Sequence, residues 1–302
     1  MHTLIPVNDL PTVPAPQLQL RRGVLLDDPP EDERELHRER MRAAVPHLGT
    51  TSWFTRHSAA VLHGLPLFHA DLEKVHLLYS GGGSGQIRRL AHVYKTPKVP
   101  PHTTVLDGLP VTTLARTAAD LMRRTYFGPA LALADAALRL GASRPELLRE
   151  VSGGRGCRHS SEAVRRADAR SESPYESQVR AIMLQQGVPL PELQVNLFDA
   201  DGFAGRPDFL WRQWGVVGEF DGAWKYSTLL APGETVEQVL ARQQDRQGRF
   251  EAMGLRVVRW GSEDVHTPGA VAASIRALIG DVVVEHRMCP EAHDYRKPRH
   301  RR

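Results

Sequence analysis

The chain predicts an α/β protein, α+β overall, built as a smaller α+β domain followed by a core of order α-β-β-β-α-β. Three observations predict this. Segments of helical period alternate with short β-rich apolar runs along the chain. At 302 residues the chain is long for a single core. Between Ser152 and Ser173 the composition turns to glycine, arginine, serine and glutamate, starting with Gly153-Gly154-Arg155-Gly156. Such a run favours a flexible join. The expected organisation is a loosely ordered segment over 1–49, an α+β domain over 50–151, a linker over 152–172, the second core over 173–283 and a basic tail over 284–302.

Taken in order, residues 1–32 are rich in proline and acids, with one apolar patch at Gly23-Val24-Leu25-Leu26 that suits a short strand. Asp32–Val45 is highly charged with sparse apolar content and predicts a helix. His57–Pro66 predicts a helix closed by Gly64 and Pro66, with His57 at its start and His63 at its end. Strands are expected over Lys74–Tyr79 and Leu90–Tyr94. The loop Ser80–Gly85 between them lacks the Gly-Lys-Ser/Thr ending of a phosphate loop and is expected to be a flexible hairpin turn. Helices follow over Leu114–Leu121, with an Arg116–Asp120 pair, and over Phe127–Leu140, and a short amphipathic helix fits Ser161–Ala169 inside the join.

In the second core, Ser173–Gly187 predicts a helix, Leu193–Phe198, Pro207–Trp211 and Gly215–Phe220 three strands, Val236–Met253 a long helix and Leu255–Trp260 a closing strand. Two of these strands carry acids where apolar residues are expected. Burying an unpaired carboxylate is costly, so such acids end in water, in an ion pair or on a metal. Alternation puts Val217, Glu219 and Asp221 in one row and Val216, Gly218 and Phe220 in the other. If the neighbouring strand pairs alongside, Asp208 joins the first row, and three convergent acids suit a hard divalent cation such as Mg²⁺ or Mn²⁺. The plainer alternative leaves Glu219 and Asp221 on a solvated face, with Asp221-Gly222 as a turn.

The run Arg206-Pro207-Asp208 followed by Glu219-Phe220-Asp221, in this element order, resembles the PD-(D/E)XK (restriction-endonuclease-like) superfamily, and within it the very-short-patch-repair-like endonuclease domains, over about Ser171 to Val283. The resemblance implies a metal-dependent endonuclease that hydrolyses DNA phosphodiester bonds in repair or in defence against phage and mobile elements. It assigns Asp208 to the PD motif and Glu219 to its second acid, with Asp221 beside them. The family's lysine position is occupied by Asp221, and the basic role passes to Lys225. Glu176 has two readings: a fourth, helix-borne acid of the metal site, or the far end of a capping box begun by Ser173 with Pro174 in the first turn. On the long helix Arg246 and Arg249 share a face and are candidates for phosphate contact. Trp214, Trp224 and Tyr226 are candidates for stacking on a displaced base.

The front half, from about Thr50 to Val151, resembles the AbiEi-like antitoxins of type IV toxin–antitoxin systems through Asp107–Thr113, Leu114–Leu121 and Asp135–Arg139. That likeness implies a second reading of the whole chain. It would be a catalytically inactive, antitoxin-like transcriptional regulator that binds DNA or a protein partner, such as a cognate toxin.

The net charge of +4 is mild, and the terminal Arg296–Arg302 run holds much of it. A basic tail can neutralise phosphates, though it can equally be a solvated end. Cys157 and Cys289 are isolated, which excludes a zinc ribbon or disulfide framework and points to a reducing compartment. No apolar run approaches the ~20 residues of a membrane span, and the N-terminus lacks a signal pattern. The expected location is the cytoplasm.

Overall fold

The computed structural model describes residues 17–21, 24–81, 83–96, 102–153, 155–221 and 235–293. It is a mixed α and β structure that divides into two compact units, Met1–Thr112 and Thr113–Arg302.

The first unit opens with β1 (Gln17–Arg21) and β2 (Val24–Asp27), an antiparallel pair. Then comes α1 (Glu33–Ala44), whose cap Asp32 accepts from the Arg34 and Glu35 amides. β3 (Ser52–Phe54), α2 (Arg56–His63), β4 (Val75–Ser80), β5 (Gln86–Ile87), β6 (Ala91–Thr96), β7 (Thr103–Leu106) and β8 (Leu109–Thr112) follow. Their sheet runs β5-β6-β4-β3-β8-β7. Met41 and Ala44 of α1 pack with Phe54, Val75 and Val111 in its core. Gly64 ends α2 in the left-handed region at φ 74°, as its position after His63 predicts. His63 meets the Thr112 carbonyl at 2.8 Å, and His57 packs edge-on against His76.

One local expectation is corrected here. β4 and β6 are parallel neighbours, so the glycine-rich stretch after Ser80 does not close a hairpin between them. Parallel strands need a longer connection than a tight turn can supply. The chain instead passes through β5, which turns back as the antiparallel edge of β6.

The second unit begins with five helices: α3 (Leu114–Met122), α4 (Phe127–Arg139), α5 (Arg144–Val151), α6 (Cys157–Arg166) and α7 (Pro174–Gln186). The Arg116–Asp120 pair is formed at 2.8 Å. α4 is apolar all round and buried almost throughout, as a central helix must be. Its one acid, Asp135, is fully buried and pairs with Arg180 of α7 at 2.7 Å, while the Asp168 amide donates to its other oxygen. The segment expected as a linker therefore carries α6 and a turn hydrogen-bonded to α4. Apolar Ala163 and Val164 and the buried pair draw it into the core. The front-half boundary falls after Thr112, because α3, α4 and α5 belong with α7.

Beyond α7 the chain forms β9 (Glu192–Leu193), β10 (Leu197–Asp199), β11 (Gly202–Gly205), β12 (Phe209–Trp211), β13 (Val216–Phe220), α8 (Val236–Ala252), β14 (Arg256–Trp260), α9 (Ser262–His266) and α10 (Ala270–Ile279). The single strand expected over Leu193–Phe198 is two strands in two sheets. Gln194 sits between them at φ 52°, a left-handed conformation that breaks extended backbone. The main sheet runs β14-β13-β12-β9, with β13 and β14 parallel and the other pairs antiparallel.

Alternation assigns the faces of this sheet. Phe209, Trp211, Val216, Phe220 and Trp260 pack with α7 and α10 on one side. Leu210, Val217 and Phe250 pack with the β10–β11 hairpin on the other. Gly218 lies under Trp260, whose ring would stand 2.6 Å from an added Cβ, so only glycine fits. The segment after α10 folds back: Val284 donates to the Gly187 carbonyl, and His286 meets that of Val188. Residues 294–302, which include the basic run Arg296–Arg302, lie outside the described residues.

Candidate functional site

Three elements converge at one end of the main sheet. Asp208 precedes β12, Glu219 and Asp221 stand at the end of β13, and Glu176 lies in the first turn of α7. Tyr175, next to Glu176, stacks on Phe220, next to Glu219, with ring centroids 4.6 Å apart and planes 6° from parallel. That stack fixes the start of α7 against the end of β13.

Asp208 is held by two donors. The Phe220 amide donates to its Oδ2 at 2.8 Å and the Gln194 side-chain amide to its Oδ1 at 3.0 Å. The same Gln194 nitrogen donates to Glu176 Oε2 at 3.1 Å, so one amide bridges two carboxyl groups. Glu176 accepts there from the Glu172 amide as well, at 2.9 Å. The expected capping box is thus altered. Ser173 does cap the Glu176 amide, but the Glu176 carboxyl reaches one residue farther back, to Glu172, and faces Asp208. Burial, with Asp208 nearby, pushes the Glu176 carboxyl up to about 7.

Glu219 is buried, and each of its oxygens meets a guanidinium at 2.8 Å: Oε1 that of Arg246 from α8, Oε2 that of Arg259 from β14. Arg259 also donates to Asp221 Oδ2 at 2.8 Å. Burial pushes the Glu219 carboxyl up, while the two arginines pull it back. Strand register explains Arg259, because it is the parallel partner of Glu219 across β13 and β14. A Cβ on Gly205 would fall 2.9 Å from Arg246 Cδ, so the bare backbone there gives the arginine stem room to reach Glu219.

These groups line a cavity of about 540 Å³ walled by Arg206, Asp208, Glu219, Asp221, Arg242 and Arg246, among others. Asp208, Glu219 and Asp221 therefore share one cleft, and Glu176 joins it through Gln194. Arg246 lies in this cleft. Arg249 does not face it: its guanidinium grips Asp199 at 2.6 and 2.7 Å and the Phe203 carbonyl at 2.8 Å. Lys225, Trp224 and Tyr226 lie outside the described residues. Trp214 packs against the apolar core.

Reasoning from sequence missed Gln194 and Arg259. Arg259 carried a usable signal, a charge within an apolar strand, whereas Gln194 carried none. The oxygen donors of Asp208 and Glu219 suit a hard divalent cation in kind, although Glu219 already has cationic partners. Among the described residues no group of three or more acid, histidine or cysteine side chains is arranged to hold a metal.

Comparison with known proteins finds a relative in Mycobacterium tuberculosis, represented by uncharacterized proteins of strains CDC 1551 / Oshkosh and H37Rv, each 32% identical over 175 residues. The match covers 56% of this chain and 62% of each relative, so the chain spans less than two thirds of their length. No family profile and no solved structure matches. Among the described residues no helix is long and apolar enough to cross a membrane.

Proposed function

We propose that this cleft belongs to a metal-dependent, PD-(D/E)XK-type endonuclease of the very-short-patch-repair-like kind, which hydrolyses DNA phosphodiester bonds. The observation that carries the reading is the placement of Asp208 and Glu219 in one cleft, at the ends of adjacent antiparallel strands, with arginines along the wall. Asp208 and Glu219 are the residues that would hold Mg²⁺ or Mn²⁺. When bound, the ion would supply Lewis-acid activation of water and of the scissile phosphate.

The chain's own groups do the rest. Arg206, Arg242 and Arg246 attract the phosphate backbone without regard to base. Gln194 and the Phe220 amide fix the Asp208 carboxylate in one orientation, so no reorientation is needed when substrate arrives. Glu176, behind Asp208 and bridged to it by Gln194, helps to hold the Gln194 amide on the Asp208 carboxylate. Asp221 stands where the motif has lysine, and Arg259 brings a permanent positive charge to that place from the next strand.

A specific observation also favours the second reading, a non-catalytic, antitoxin-like regulator that binds DNA or a protein partner such as a cognate toxin. Both Glu219 oxygens and Asp221 are already neutralised by arginines, which compete with a cation for the same oxygens. Incubation with supercoiled, nicked and mismatched DNA plus Mg²⁺ or Mn²⁺ separates the two. The endonuclease reading expects cutting that falls at least a hundredfold in Asp208→Asn and in Glu219→Gln. Equal cutting by parent and variants would give the cleft to the regulator.

A further inference from the structure

The hairpin β10–β11 presents a surface that the acids do not use. Phe198 and Phe203 are cross-strand partners with ring centroids 5.7 Å apart, and they remain 62% and 54% exposed. The inner face of the hairpin is well covered, since Leu197 and Ala204 pack with Leu210, Val217 and Phe250. A hairpin with one buried face ordinarily carries polar residues on the other. Single exposed aromatics are common and need no explanation, whereas two in mutual contact make a patch.

The hairpin under this patch is tied to the helix behind it. Arg249 clamps the hairpin from α8, with two bonds to Asp199 and one to the Phe203 carbonyl. The backbone that carries the rings therefore needs little ordering when a ligand arrives.

Chain and helix connect the rings to the cleft. Arg206, three residues after Phe203, lines the cavity. Gly205 lies against the stem of Arg246. Arg246 and Arg249 are three apart on α8, one turned to Glu219 and the other to the hairpin. The hairpin that carries these flat apolar faces thus leads within three residues into the cleft wall of Arg206, Arg242 and Arg246, where Arg206 also pairs with Glu172 at 2.9 Å. That complementarity fits a strand of stacked bases on a phosphate backbone. In a duplex the base faces are hidden by stacking, so the rings suit an unpaired stretch.

We propose that Phe198 and Phe203 form a stacking platform for unpaired bases of a single DNA strand, whose phosphates run along Arg206, Arg242 and Arg246 into the cleft. The proposal deepens the nuclease reading and rests on it for the direction of the strand. Its test is fluorescence anisotropy in EDTA, so that no cutting intervenes, with a labelled single-stranded oligothymidylate and a duplex of the same length. The parent protein should bind the single strand more tightly than the duplex. A Phe198→Ala/Phe203→Ala double variant should lose about tenfold or more in single-strand affinity, with duplex affinity and melting temperature unchanged. Unchanged single-strand binding by the variant would overturn the platform, as would an equal loss on duplex. Conversion of a dimer to a monomer by the two substitutions would overturn it too, by giving the patch to a second copy of the chain. Duplex binding without single-strand preference would sink the platform alone, whereas no binding to either DNA would sink the reading of the cleft as well.

Discussion

Glu176 shows how a single buried carboxyl group can make stability depend on pH. Its folded value lies near 7 against an ordinary 4.5, because burial and the neighbouring Asp208 disfavour its charge. Below the ordinary value both folded and unfolded chains are protonated, and the group has no effect on stability. As the pH rises from there towards 7, the unfolded chain releases this proton while the folded chain keeps it, so stability falls. The loss is on the order of 1–3 kcal/mol. Glu176→Gln keeps an acceptor for the Glu172 amide and removes the titration. Thermal melts should show the variant more stable than the parent at about pH 8 and unchanged at about pH 4; a variant equally destabilised at both would refute the assignment. The meeting of Asp208, Glu219 and Asp221 was legible in the sequence, because a strand's period of two puts alternate residues on one face. Gln194 was not legible: its role depends on a left-handed kink between two short strands, which no local pattern announces.

At the scale of elements, the helix α7 is the pivot of the second unit. One face of it packs with the main sheet through Val179 and Met183, and Arg180 reaches into the helices that precede it. Asp135 and Arg180 are 45 residues apart in sequence and form a buried ion pair, so removing one partner leaves an uncompensated charge. That long-range pairing is why the break is found after Thr112 and not near Ser152–Ser173, where composition predicts it. Composition reports local flexibility, and Gly153 and Gly156 do take left-handed backbone there, but it does not report which helices pack together. A fragment of residues 113–302 keeps α4 against α7 and should unfold in one cooperative transition. A fragment of residues 173–302 loses Asp135 and exposes the α7 surface that α4 covers. It should be less stable by about 3–5 kcal/mol or fail to fold, as read by circular dichroism and urea melts. Equal stability of the two fragments would show that the helices contribute nothing to the sheet unit.

For the whole molecule, the alternation of helices and strands was legible, because period and turn chemistry are local, but the split of the expected Leu193–Phe198 strand into β9 and β10 and the strand β11 were not. Nor was strand order. The parallel placement of β4 beside β6 skips the intervening β5, and that of β14 beside β13 brings together segments far apart in the chain. The latter sets Arg259 opposite Glu219. The consequence is a cleft in which Glu219 and Asp221 carry their own counter-charges while Asp208 is held by neutral amides, so a divalent ion on Glu219 must share or displace an arginine. Calorimetric titration of the metal-free protein with Mn²⁺ tests this most directly, with Asp208→Asn, Glu219→Gln and Arg246→Gln alongside. The account predicts binding by the parent, loss of binding in both acid variants and tighter binding when Arg246 is replaced. Binding of equal strength in all four proteins, or none in the parent and none after Arg246 is replaced, would contradict it.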